Sequence, residues 1–402
     1  MLKLPRRRNS VSQGLSFYIH IPYCIRRCGY CDFNTYTPSE LKGPDIASVS
    51  TDYIDAAILE IEMAAQRFGG ADVPTIFFGG GTPSLLPARD LGRVVSAIRN
   101  NFSIAKDVEI TIEVNPDSVT MDFLSEARSW GATRISMGMQ SASPLVLAVL
   151  DRTHNPENVT SAVDMARRAG YAHVSVDLIY GSPGESVDDW RQTISSALAL
   201  DIDHISAYAL IVEEGTKFAK KVERGELEMP PEDETAEKYL AIDAALREAG
   251  FDWYELSNWA KPGGECRHNI NYWNGAQWWG VGPGAHSFID NRRWWNVKHP
   301  QTYKKLVAEG KSPENSSETL SKDDLALEFI MLRMRMRNGI EKSALNQEQQ
   351  QAIETFLSSG HIDSMQWQLG RAVLTPQGRL IDRKSTRLNS SHEWISRMPS
   401  SA

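Results

Sequence analysis

Cysteine is scarce in this chain, with four residues in 402. Three of the four, Cys24, Cys28 and Cys31, crowd into one short segment, while Cys266 stands far away. Three neighbouring thiols cannot pair among themselves, so a disulfide framework is excluded and a reducing compartment is expected. No stretch approaches the roughly 18 apolar residues that a membrane span needs. Positive charge is in deficit: 43 Lys and Arg face 51 Asp and Glu, for a formal charge of −8. That balance excludes a general attraction to nucleic acid or anionic membranes. A glycine-rich dinucleotide turn is missing after the first apolar run, which argues against a Rossmann sheet. A second Cys-x2-Cys half is missing too, which argues against structural zinc.

What is present is ample material for a core, with 41% hydrophobic and 23% charged residues. The length suits a large domain with a smaller one, or a barrel with an appendage. Short β-branched runs recur at Phe17–Ile21, Thr75–Phe78, Val108–Val114, Arg134–Met137, His173–Ile179 and His204–Leu210. Helical periodicity fills the gaps, at Tyr53–Phe68, Leu91–Asn101, Met121–Trp130, Val159–Ala169 and Trp190–Leu200. Strands alternating with helices predict an α/β fold with a parallel sheet, curled as a partial (β/α)6 barrel. The distinctive polar residues fall just where such strands end: Cys24, the run Gly79-Gly80-Gly81-Thr82-Pro83, Glu113, Gln140, Asp177 and Tyr208. Active sites of these barrels collect at that mouth.

Beyond Lys217 the pattern changes. A helix is expected over Glu234–Ala249, and residues 251–295 then hold seven of the 11 tryptophans. Helices at Leu325–Arg337 and Gln347–Ser358, with a hairpin from Gly360 to Leu380, predict a small α+β, winged-helix-like C-terminal domain without a basic face. The expected plan is a leader at 1–14, the partial barrel at 15–250, a Trp- and Gly-rich segment at 251–310 and the C-terminal domain at 320–383. The leader, with Lys3 and Arg6 to Arg8 and no acidic residue, has a faint transit-peptide flavour but reads as a cytoplasmic start. From Lys384 the apolar patterning stops, and 384–402 reads as a non-native tail.

Three thiolates in a Cys-x3-Cys-x2-Cys loop can wrap three corners of a cubane iron–sulfur cluster, which leaves one iron open to a small molecule. With the preceding Tyr18-Ile-His-Ile-Pro-Tyr23 and the following Gly-Gly-Gly-Thr-Pro, this loop resembles the radical SAM superfamily. Within it, the chain is similar to the group that contains oxygen-independent coproporphyrinogen III dehydrogenase and the HemW-type haem chaperones. The resemblance implies a [4Fe–4S] cluster on Cys24, Cys28 and Cys31. It also implies S-adenosylmethionine held by Tyr18, Tyr30, Gly80, Gly81, Thr82, Glu113, Gln140, Arg152 and Asp177. Bound there, that cofactor is a source of the 5′-deoxyadenosyl radical.

Two features separate the branches of this resemblance. The porphyrinogen-oxidising enzymes carry a fourth cysteine two places after the third, where this chain has Phe33. The run Cys31-Asp-Phe-Asn34 and the motif His268-Asn-Ile-Asn-Tyr272-Trp273 are instead similar to the chaperone branch, where the latter is associated with haem. An imidazole can ligate haem iron, which makes His268 the expected ligand and His286 a weaker alternative. The implied role is a haem carrier that hands its cargo to an acceptor haemoprotein, with a respiratory protein as the example. The rival reading is a coproporphyrinogen III dehydrogenase of porphyrin biosynthesis. The acceptor and the electron donor are not named by any residue pattern.

Overall fold

The computed structural model describes residues 14–152 and 155–381. The tail at 384–402 and all but the last residue of the leader lie outside the described residues. Six strands form the centre: β1 (Leu15–Ile21), β2 (Asp72–Gly80), β3 (Ser103–Val114), β4 (Arg134–Gln140), β5 (His173–Tyr180) and β6 (His204–Ala209). They lie side by side in chain order, each parallel to the next. Helices at Tyr53–Phe68, Ala88–Asn101, Met121–Ser129, Pro156–Arg168 and Val187–Leu198 carry the chain back between them. Local chemistry sets their ends. In the first, Ile54, Ala57, Ile61, Ala64 and Phe68 are buried at helical spacing. The last begins with a capping box in which the Ser186 hydroxyl accepts from Asp189 N while the Asp189 carboxylate accepts from Ser186 N.

The sheet is larger than the sequence pattern indicates. β7 (Asp252–Glu255) and β8 (Asn258–Ala260) extend it antiparallel beyond β6. At the other side β9 (Gln277–Val281) lies parallel against β1, with Trp278 opposite Ser16. β10 (His286–Ile289), β11 (Arg292–Asn296) and β12 (Glu314–Thr319) follow antiparallel. The Trp-rich segment thus contributes strands to both flanks of one open, twelve-stranded sheet.

Strand alternation then divides the molecule. One face of β1, β3 and β5 presents Phe17, Ile19, Ile110, Ile112, Val174 and Val176, all buried against the helices as the main core. The opposite face presents Ser16, His20, Glu109, Thr111, Arg134, Ser136, Ser175, Asp177, His204 and Ser206, which are buried as well. A parallel sheet covered on both sides ordinarily carries apolar residues on both. Here the inner face is polar, so every group on it needs a partner.

The short helix Arg267–Trp273 supplies partners at the lower end. Glu109 on β3 caps it, accepting from Arg267 N at 3.1 Å and His268 N at 2.9 Å. The buried Arg134 guanidinium lies 3.5 Å from the same carboxylate and donates to Gly264 O and Glu265 O. The helix carrying the His-Asn-x-x-Tyr-Trp motif is therefore bolted to the middle of the sheet.

The C-terminal unit contains the helix Lys322–Met334, β13 (Ile340–Glu341), the helices Gln347–Ser358 and Ser364–Gln368, and β14 (Arg371–Ala372). Its own core gathers Met334, Ile340, Leu345, Ile362, Trp367 and Ala372. The expected hairpin is reduced to one bridge between Ile362 and Leu374, and β13 pairs with β14 instead. Arg379 fastens this unit to the helix Glu232–Glu248 through two 2.7 Å bonds to Asp243. Arg335 ties the unit to the helix Arg267–Trp273 and to β7, 4.3 Å over Trp273 and 3.4 Å from Glu255.

Removing the Glu109 carboxylate strands a buried guanidinium and two helix N–H groups. Glu109→Ala is expected to lose about 3–5 kcal/mol of stability, the scale for breaking a buried ion pair. A urea unfolding midpoint within error of the parent would contradict this role.

Candidate functional site

The C-terminal ends of the six parallel strands surround a cavity of about 1770 Å³. Its first wall is the cysteine loop. The base of that loop is closed like a ladder, with Tyr36 N donating to Pro22 O at 2.7 Å and Cys24 N to Tyr36 O at 3.0 Å. Cys24, Cys28 and Cys31 all face the cavity. Burial pushes the Cys24 thiol up to about 11 and the Cys31 thiol up to about 12. Among the described residues no three His, Cys, Asp or Glu side chains converge as a single-ion site.

The glycine run lies against this loop. Gly81 N donates to Ile21 O at 2.7 Å and Thr82 N to Tyr23 O at 2.8 Å. Gly80 has φ +107, and a Cβ there would sit 2.5 Å from the His20 ring. A Cβ on Gly81 would fall 2.5 Å from Tyr23 O. Only glycine allows this approach. The Thr82 hydroxyl points to the Cys24 sulfur at 3.9 Å.

Deeper in, Glu113 accepts from Gly80 N at 3.1 Å, and Asp177 accepts from Ser136 Oγ at 3.4 Å. Burial, then the Asp177 charge, raises Glu113 to about 8; burial raises Asp177 to about 7. Arg152 reaches Cys28 Sγ at 3.4 Å and Gly138 O at 3.0 Å, and so approaches the cysteine loop. Its charge favours the ionised form of Asp177, though less strongly than burial opposes it. Tyr30 also lines the cavity. Gln140 sits at a register shift ending β4 with φ 62, a left-handed conformation uncommon for a non-glycine residue. All nine residues expected to hold S-adenosylmethionine are brought to this one space.

Two residues outside that set organise it. His20 Nε2 lies 2.9 Å from Asn34 O, which can only accept, so Nε2 carries the proton and Nδ1 accepts from Tyr18 OH at 3.0 Å. Burial lowers His20 to about 4, keeping the ring neutral. Asn34 in turn donates to Pro283 O at 2.9 Å and Lys298 O at 2.8 Å. Period-two spacing from Tyr18 places His20 on the inner face, but nothing in the sequence announces that Asn34 joins the cysteine loop to the turn before β10.

The motif histidine behaves differently. His268 is fully buried below the cavity, its Nδ1 2.7 Å from Thr75 Oγ1 and its Nε2 3.0 Å from Tyr272 OH. Phe77 stacks on the ring at 5.1 Å. Burial lowers its pKa to about 3. With both nitrogens engaged inside the protein, the ring aims Tyr272 and is not itself presented to the cavity. Tyr272, Trp273, Trp278 and His286 do line it, together with Arg293 and Arg335. Trp279, next along β9, turns to the other face against Phe68 at 6.1 Å.

Comparison with known proteins agrees with this geometry. Residues 18–197 match the family model of the radical SAM superfamily and residues 320–381 that of the HemN C-terminal domain. A relative from Mycobacterium tuberculosis named heme chaperone HemW is 45% identical over 381 residues, 94% of this chain and 96% of its own length. A Bacillus subtilis protein of the same name is 32% identical over 91% of this chain and 96% of its own. The solved structure of HemN from Escherichia coli, described as a coproporphyrinogen III oxidase and radical SAM enzyme, superposes with TM-score 0.78 at 23% identity, over 94% of this chain and 90% of that one. The chain belongs to the radical SAM superfamily, and within it to the HemW family.

Proposed function

We propose that this protein is a haem chaperone that holds a [4Fe–4S] cluster, S-adenosylmethionine and haem in one cavity and passes the haem to an acceptor haemoprotein. One observation carries the reading. A single cavity is lined both by the three thiols and by Tyr272, Trp273 and Trp278. Its volume, about 1770 Å³, exceeds the roughly 300–1,000 Å³ of an ordinary one-ligand pocket.

The residues suit each group. Cys24, Cys28 and Cys31 are the soft donors that iron prefers. Glu113 and Asp177 form a buried acidic pair whose charged forms are costly unless a cation or hydrogen-bond donors arrive. S-adenosylmethionine brings both, in its sulfonium, ammonium and ribose hydroxyls. When bound, the cluster and that cofactor supply one-electron chemistry. The chain positions them: Gly80 and Gly81 give backbone access, Arg152 sets charge beside Cys28, and His20 orients Tyr18. Tyr272, Trp273 and Trp278 offer faces to a flat macrocycle. Phe33 stands where the porphyrinogen-oxidising branch carries a thiol, which favours the carrier over that enzyme. The relatives named heme chaperone support the same reading. No helix among the described residues is long and apolar enough to cross a membrane.

Anaerobically reconstituted protein is expected to take up about one haem per chain, followed by the Soret band. Turnover of coproporphyrinogen III to protoporphyrinogen IX would overturn the chaperone reading. Cys28→Ala should lose the thiolate–iron charge-transfer absorbance and most of the bound iron and sulfide; unchanged iron and sulfide would remove Cys28 from the ligand set.

The acidic pair gives a pH signature. Both carboxyls are raised when folded, so their contribution to stability is present below the ordinary carboxylate range and is lost as pH rises through about 7 to 8. Without cofactor, the Tm should fall across that window. Glu113→Gln should flatten the fall and weaken S-adenosylmethionine binding, read by calorimetry. An unchanged slope with unchanged affinity would remove Glu113 from the site.

A further inference from the structure

We propose that Asn34 is a positioning residue for the cluster: it fastens the cysteine loop to a rigid clasp at residues 282–298, so that the three thiols meet a cluster already in shape. The inference rests on the cluster reading above and is independent of haem. Between Pro22 and Tyr36 the loop has neither helix nor strand, apart from the bridge of Tyr23 with Tyr36. Fixing such a segment on a metal centre costs backbone entropy. A contact that fixes it beforehand removes part of that cost from binding.

Asn34 stands three residues beyond Cys31 and makes such a contact. Its amide nitrogen donates to Pro283 O at 2.9 Å and to Lys298 O at 2.8 Å. Carbonyls can only accept, which sets the orientation of the amide. The Tyr36 hydroxyl lies 3.2 Å from both Asn34 Oδ1 and Lys298 O. On the loop side, the Asn34 backbone carbonyl accepts from His20 Nε2 at 2.9 Å. Gly284 makes room for the amide: its φ is +75, and a Cβ there would fall 2.6 Å from Asn34 Nδ2.

The far anchor is built to stay still. The buried Glu60 carboxylate accepts from Gly282 N at 2.8 Å, Asn296 Nδ2 at 2.8 Å and Tyr303 OH at 2.6 Å. Asn296 also donates to Gly282 O at 2.9 Å, and Gly284 N donates to Val297 O at 3.0 Å. The entry to β10 and the exit from β11 are thereby one clasp, locked to the helix Tyr53–Phe68. Asn34 lends that rigidity to the thiols without being a ligand. It is an outer-shell partner recruited from 249 residues away.

The test uses full-length protein, reconstituted anaerobically and then challenged with an iron chelator. Asn34→Asp keeps the size of the side chain and removes both N–H donors. It should release iron about ten-fold or more faster than the parent, the scale for losing an outer-shell partner. The EPR signal of its reduced cluster should stay parent-like. Before loading, peptides covering residues 22–36 should exchange amide hydrogens faster than the parent's, with β5 unchanged as the check on folding. Gly284→Ala breaks the same contact from the far side and should act alike, and the double variant should lose no more than either single one. Parent-like iron release in Asn34→Asp, or losses that add in the double variant, would overturn the proposal. Should Asn34→Asp not fold, Gly284→Ala decides alone, and parent-like release there would overturn it. If the parent itself retains no iron and sulfide, the cluster reading fails and the proposal falls with it.

Discussion

Burying carboxylates on the inner face of a parallel sheet is the constraint on which the rest of this molecule depends. Strand alternation sends one residue in two toward the helices, where they form an ordinary apolar core. The other half faces inward and includes Glu109, Glu113 and Asp177. A buried anion must find a cation, donors or a proton. Glu109 is answered from within, by Arg134 and the first N–H groups of the helix Arg267–Trp273. Glu113 and Asp177, further along β3 and β5, are answered incompletely and drift toward their protonated forms. The satisfied end is structure. The unsatisfied end is the site.

That gradient explains why the motif around His268 divides its labour. Its first residues belong to the satisfied end, where Glu109 and Thr75 hold the backbone and the imidazole. Its last two, Tyr272 and Trp273, extend into the cavity. A histidine can be needed for a cofactor site by holding a tyrosine rather than by touching the cofactor. His20 works in the same way on Tyr18.

The central strands and their helices were legible in the sequence because two periodicities repeat there: β1 to β6 and the five helices between them match the expected segments within a few residues. The helix Tyr53–Phe68 was legible to its ends, since buried positions run unbroken to Phe68 and Gly69-Gly70 stop it. The gathering of the expected cofactor residues at one mouth was readable in part, because Gly80, Gly81, Thr82, Glu113 and Gln140 stand at or just after strand ends. The flanks were not. β7 to β12 are short, rich in tryptophan and paired over long chain distances, and such pairing leaves no local period. The orientation of His268 was hidden for a related reason: motif context says that a side chain matters but not which way it points, and Thr75, 193 residues earlier, decides that. Asn34 was visible only as a letter in a motif, since its partners Pro283 and Lys298 lie 249 and 264 residues further along the chain.

A shared cavity for cluster and haem has one direct physical consequence, which is magnetic contact between the two iron centres. The decisive measurement is pulsed EPR on protein carrying the reduced cluster together with ferrous nitrosyl haem. Shared occupancy predicts that the nitrosyl signal relaxes markedly faster when the cluster is reduced than when it is oxidised or removed through Cys28→Ala. Relaxation of the nitrosyl signal that is indifferent to the cluster would place the haem elsewhere on the molecule and contradict the arrangement.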